Sequence, residues 1–292
     1  MNTVSNGSST SNSFTTSLEY HSDLMENSTN RSLASRLFMA LPSETVTPLK
    51  QALNYLVVCI AVVTIAGASL AATGISLNFD FVEQYHIRIL DGFLMTVRLS
   101  VASLIGSLVL GIVVAIGQSA RFLPLRSLCD LNVKIIRGTP LIVQIYFFYY
   151  IIGTAWGVSN KVLAGIIILS LFAGAYIAEI IRAGYESLPR GPLEAARALG
   201  LTRVQCAISV ALPQMVSRTL PALTGQFASI IKDSSLLSVI AVIELTQTMR
   251  EISATNYNFF GCFLLLGALY LCLTLPIMFI SRRFEKRLGY ET

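Results

Sequence analysis

Charge is missing from this chain in long blocks, and that spacing limits the folds open to it. Gln51–Phe79, Leu99–Ala120, Gly138–Asn160, Val162–Ala178 and Ile252–Ser281 contain no Asp, Glu, Lys or Arg. A helix crosses a bilayer with about 20 mostly apolar residues, and all but one of these runs exceed that length. The shortest, Val162–Ala178, continues through Glu179-Ile180-Ile181. Backbone that faces lipid must satisfy its own hydrogen bonds, so helices are the expected solution. Only 13% of the 292 residues are charged, against roughly 25% in soluble domains. The expectation is an all-α polytopic membrane protein. Six transmembrane helices are predicted, near residues 51–74, 92–118, 138–154, 162–182, 214–238 (interrupted) and 258–281.

An even number of crossings puts both termini on one side, and basic residues choose that side. Sixteen fall together: Arg31, Arg36 and Lys50; Arg121, Arg126, Lys134 and Arg137; Arg182, Arg190, Arg197, Arg203 and Arg218; Arg282, Arg283, Lys286 and Arg287. The opposite loops hold three, Arg88, Lys161 and Arg250. The bias predicts cytoplasmic termini and a cytoplasmic 183–213 loop. It also accounts for the net charge of +5 without any nucleic-acid partner. Residues 1–47, rich in Ser, Thr and Asn, read as a disordered cytoplasmic tail with too little apolar surface to fold. Residues 48–90 read as an additional N-terminal transmembrane helix with an external loop, and residues 91–288 as the transport domain. Cys59, Cys129, Cys206, Cys262 and Cys272 lack metal-ligand spacing and are expected to be reduced thiols.

The 190–213 loop carries the most specific local signal. Gly191-Pro192-Leu193-Glu194-Ala195-Ala196-Arg197-Ala198-Leu199-Gly200 describes a short helix with defined ends. Pro192 suits the first helical position. Glu194 favours the positive end of the helix dipole, and Glu194 with Arg197 makes a favourable i,i+3 pair. Gly200 is placed to end the helix in a left-handed cap. On physics alone this is a compact knob on the cytoplasmic side, and an ordinary loop helix would look the same.

Glu194-Ala195-Ala196, Gly200 four positions after Ala196, and then Leu212-Pro213 resemble the EAA loop of ABC importer permeases. Thr96-Val97-Arg98-Leu99-Ser100, Arg137-Gly138-Thr139-Pro140-Leu141-Ile142-Val143-Gln144, Ala175–Arg182 and Lys232-Asp233-Ser234-Ser235-Leu236 resemble segments of the polar amino-acid branch, in the right order. Gly191-Pro192 departs from the Gly-Gln usual before the EAA segment, and Ser234 stands where threonine is common. The resemblance covers about residues 91–288 and implies a five-helix core. It further implies that Gly191, Glu194, Ala195, Ala196, Gly200, Leu212 and Pro213 couple this chain to separate ABC ATPase subunits, which bind ATP-Mg. A second permease subunit, identical or homologous, an external substrate-binding protein and a polar amino-acid substrate complete the implied assembly in a bacterial inner membrane.

What the chain lacks narrows its chemistry. It contains no Gly-Lys dipeptide and so no P-loop, and its two histidines, His21 and His86, form no zinc or Ser–His constellation. No cofactor or metal is expected on this chain, and the permease subunit is not expected to be an enzyme. The competing reading is a self-sufficient ion-coupled secondary transporter, which would place ionisable residues at membrane depth.

For the substrate path, the fifth span is the poorest helix by composition. Its Gln226, Ser229, Lys232 and Asp233 mix polar and charged groups with Pro221 and Gly225, and interrupted spans of this kind line translocation sites. Lys232-Asp233 could offer both signs to a zwitterion or form a structural ion pair. Glu179 could gate the inner mouth with a partner helix or pair locally with Arg182. Gln144 could face the pore or satisfy a helix contact.

Overall fold

The computed structural model describes residues 47–73 and 78–287, and the chain divides into two units, Met1–Ser76 and Leu77–Thr292. The expected disordered tail lies outside the described residues, apart from its last position.

In the first unit, α1 (Pro48–Thr73) runs for 26 residues, about 39 Å. Thr64 and Ser69 donate their hydroxyls to the carbonyls of Ile60 and Ile65 one turn back, which hides polar groups on an otherwise apolar surface. Its Pro48–Ser69 portion is long and apolar enough to cross a membrane.

The second unit is built on α2 (Asp80–Gln118) and α5 (Lys161–Glu186). At 39 residues α2 begins well before the expected residue 92. Asn78 accepts from the Asp80 backbone N–H, Asp80 and Glu83 occupy the dipole-favoured first turn, and no breaker intervenes. The two helices approach through small residues. A Cβ on Gly111 would lie 2.5 Å from Ile177 Cγ2, one on Gly174 would lie 3.1 Å from Leu110 Cβ, and Gly106 faces Ser170. Ser170 donates to the Ser103 carbonyl across that contact at 3.3 Å.

The third span departs from expectation. Residues 121–137 are not loop but helix α3 (Leu123–Gly138), which meets α4 (Leu141–Tyr146, continued as a π-helical turn through Gly153) at a 112° bend. Pro140 has no N–H and forces Thr139 into an extended conformation at φ −120°, ψ 144°. The carbonyls thus freed are not left bare. Gln144 Nε2 donates to Ile136 O at 2.7 Å and to Thr139 O at 3.2 Å.

A short loop helix, α6 (Arg190–Ala198), leads to a single turn α7 (Arg203–Cys206) opened by a Thr202/Gln205 capping box. A π-helical turn then runs directly into α8 (Leu212–Asp233). The interruption expected within 214–238 falls after Asp233: α8 continues through Pro221 and then tightens into a 3₁₀ segment, Ser234–Ile240, that ends at left-handed Ala241. Helices α9 (Leu245–Asn256) and α10 (Phe259–Arg287) complete the fold.

Leu99, Ile145, Leu169, Leu237 and Ile240 form one buried cluster, while Phe81, Leu245, Met249, Ile252 and Cys262 form another that joins α2, α9 and α10. Among the described residues four helices are long and apolar enough to cross a membrane, and five if the bent pair counts as one span. The remaining expected crossing, α8, is long enough but carries Gln214, Arg218, Gln226, Lys232 and Asp233.

Candidate functional site

Helix α6 begins two residues earlier than its composition predicts, with Pro189 rather than Gly191 at the N-cap and Pro192 in the third helical position. Its end is as expected. Gly200 adopts φ +81°, its N–H donates to Arg197 O at 3.0 Å, and Leu201 N–H reaches back to Ala196 O at 3.1 Å, a Schellman closure. The expected Glu194–Arg197 pair does not form among the described residues: Glu194 is exposed and unpaired. Ala196 turns inward and is 6% exposed, which leaves Gly191, Glu194, Ala195 and Gly200 facing outward.

The surface beside them is apolar. Leu199 is 81% exposed, and Val204, Ile208 and Leu212 are also uncovered. Pro213, exposed next to Leu212, is the second residue of α8, directly after the π-helical turn. The loop is tied to the spans at both ends. Arg218 Nη1 of α8 donates to Ser187 O at 2.6 Å, and Gly184 of α5 lets Thr219 and Met215 of α8 pack directly onto its backbone.

A cavity of about 1,070 Å³ opens at this same end of the unit, between α2, α3, α5 and the start of α8. Glu179 lies on its wall. The carboxylate takes a forked contact from Arg182, with Nε to Oε2 at 3.0 Å, and Arg137 of α3 approaches Oε1 at 3.4 Å. The Arg137 guanidinium also lies 5.3 Å from the centre of the Tyr176 ring. Glu179 therefore has both a local partner and one on another helix. Its ties are the polar link between α3 and α5 on the cavity wall.

The other path candidates are not gathered with it. Gln144 is committed to bracing the bend. Leu212 and Thr219 line the cavity as far as Leu223, whereas Gln226, Ser229, Lys232 and Asp233 lie farther along α8. Lys232 and Asp233 form no ion pair with each other or with any described residue. Ala222, Gly225 and Lys232 are exposed and Gln226 and Ser229 half-exposed, so among the described residues one small, polar face of α8 is left uncovered.

Sequence reasoning missed Glu244. Fully buried, it caps α9 by accepting from Gln247 N at 2.8 Å and Thr246 N at 2.7 Å, and Tyr270 of α10 donates to it at 3.0 Å. A carboxylate immediately ahead of Leu245-Thr246-Gln247 was the available N-cap signal.

Comparison with known proteins decides the class. Residues 107–290 match the family profile described as binding-protein-dependent transport system inner membrane component. The chain belongs to this family. The probable glutamine ABC transporter permease protein GlnM of Bacillus subtilis (strain 168) is 35% identical over 214 residues, which cover 73% of this chain and 97% of that one. The glutamine transport system permease protein GlnP of Escherichia coli (strain K12) is also 35% identical, covering 68% of this chain and 92% of its own length. Among solved structures, an amino acid ABC transporter crystallised with histidines aligns with a TM-score of 0.68 at 30% identity, over 73% of this chain and all of that one. An inward-facing MetNI methionine ABC transporter shares the fold at a TM-score of 0.61. As a member of this family the chain is a multi-pass permease subunit of an ATP-driven importer rather than an enzyme.

Proposed function

We propose that this permease carries polar amino acids through the membrane and takes its driving force from separate ABC ATPase subunits that dock on α6. The carrying observation is the construction of that helix. Glu194 and Ala195 face outward beside the uncovered Leu199, Val204 and Ile208, while the loop's ends are tied to α5 and α8. A push on α6 by a partner passes along the chain into α5 and, through α7 and the π-helical turn, into α8, and the Arg218–Ser187 bond and the Gly184–Thr219 contact couple those two long helices to each other. For ATP binding to drive a conformational change, the ATPase states must differ in affinity for the permease conformations. The ATP-Mg belongs to the partner chains.

The polar, uncovered face of α8 at Gln226, Ser229 and Lys232 supports a pathway completed by a second permease subunit. Such a face is costly against lipid and is at home on a shared, hydrated path. The basic-residue bias supports placing α6 and the 1,070 Å³ cavity at the cytoplasmic side, with Glu179 and Arg137 at the inner mouth. The relatives' names support an amino-acid substrate, delivered by an external binding protein.

Affinity purification from the native membrane tests the reading. The tagged chain should bring down an ATPase, and a Glu194→Lys, Gly200→Pro variant should lose it while remaining folded. Wild type that purifies without any ATPase, and still transports under an ion gradient alone, would replace this reading with a secondary carrier.

A further inference from the structure

At the end of α2 remote from α6, an open groove of about 370 Å³ runs between α2 and α9. Its lining includes Arg88, Asp91, Met95, Arg98, Ile243 and Thr248. The four α2 residues recur at helical spacing and so share one face. Arg98 stands about 30 Å along α2 from Gln118, a hydrocarbon thickness away, so the groove opens at the opposite membrane boundary from the α6 end.

Its polar groups are not all accounted for within the chain. Arg88 is held by Glu251 of α9, which also accepts from Gln247 Nε2 at 2.9 Å. Asp91 and Arg98 have no ion-pair or hydrogen-bond partner among the described residues. Thr248 is fully buried, yet its Oγ1 lacks any hydrogen-bond partner. Gly92 lets α9 approach α2 closely along the floor of the groove: a Cβ there would lie 2.5 Å from Thr248 Oγ1.

A free guanidinium and a free carboxylate in one small groove match a ligand that carries both signs a few ångströms apart. An α-amino acid is such a ligand. We propose that this groove is an outer binding site for the zwitterionic head of an amino acid on its way to the path. The Arg98 fork takes the α-carboxylate and Asp91 takes the α-ammonium. Met95 and Ile243 are left for the substrate side chain. The volume lies near the lower end of the roughly 300–1,000 Å³ usual for small-molecule sites. This inference rests on the amino-acid import reading.

The test uses the complete permease–ATPase complex in nanodiscs without binding protein, titrated with radiolabelled L-glutamine. If uptake assays with the binding protein present show another amino acid to be carried, that one replaces glutamine. Wild type should bind it saturably. Asp91→Asn and Arg98→Gln should each weaken binding about tenfold or more, and Arg98→Lys should retain part. The methyl ester should not compete. ATPase co-purification reports that each variant is folded.

If none of the twenty amino acids is taken up by the wild-type complex, the import reading itself fails. If uptake is intact and Asp91→Asn and Arg98→Gln bind like wild type, the groove proposal fails alone. Variants that bind normally but lose stimulation by the binding protein would make the groove a protein-docking surface, which also overturns the proposal.

Discussion

At Gln144 one amide group decides whether a membrane helix can turn sharply. Its Nε2 satisfies the Ile136 carbonyl, which Pro140 four residues on has no N–H to meet, and also donates to the carbonyl of Thr139 at the bend. A buried carbonyl without a partner costs about 1–3 kcal/mol. Gln144→Leu is near-isosteric and should lower stability by that amount, read as a lower melting midpoint of the detergent-solubilised chain. An unchanged midpoint would mean that water reaches the bend and replaces the amide. The motif Arg137–Gln144 was visible in the sequence, but its use was not. Whether Gln144 faced a pore or a neighbour depended on where the chain turned, and no periodicity encodes a 112° angle.

Between elements, the α2–α5 contact rests on residues with little side chain. Gly111 sits against Ile177 Cγ2 so closely that any Cβ would force a shift, and Gly106 faces Ser170 in the same seam. Small residues let membrane helices exchange dispersion contacts along their backbones. Gly111→Leu should cost about 1–3 kcal/mol by overpacking, seen as reduced yield of folded, monodisperse protein. The same change at Gly67 of α1, where a Cβ would meet nothing within 4 Å, is the control and should be neutral. Losing equal yield at both positions would point to insertion rather than packing. Gly106 and Gly111 recur within one apolar run, a spacing that suits a packing face. Their pairing partners came only with the fold.

For the whole molecule, the basic-residue bias makes a single topological prediction. Reporters fused at Asn78 and Asn256 should read external and one at Gly191 cytoplasmic; an external Gly191 would invert the chain. Both α6 and the large cavity lie at one end of the second unit, and the zwitterion groove lies toward the other. One inversion would therefore exchange the roles of all three.

The sequence alone determined the helical membrane class, because charge-free runs of about 20 or more residues suit helices that bond their own backbone, not the short alternating strands of a barrel. It also determined the loop helix and its glycine stop, since capping is local chemistry within a few residues. Tertiary structure decided the rest. It placed Arg137 beside Glu179, left Lys232 and Asp233 without an ion pair among the described residues, and buried Glu244 beneath Tyr270. It also set Asp91, Arg98 and Thr248 around one groove. Such arrangements join residues far apart in the chain, and their geometry is fixed by how whole helices bend and cross rather than by any local preference.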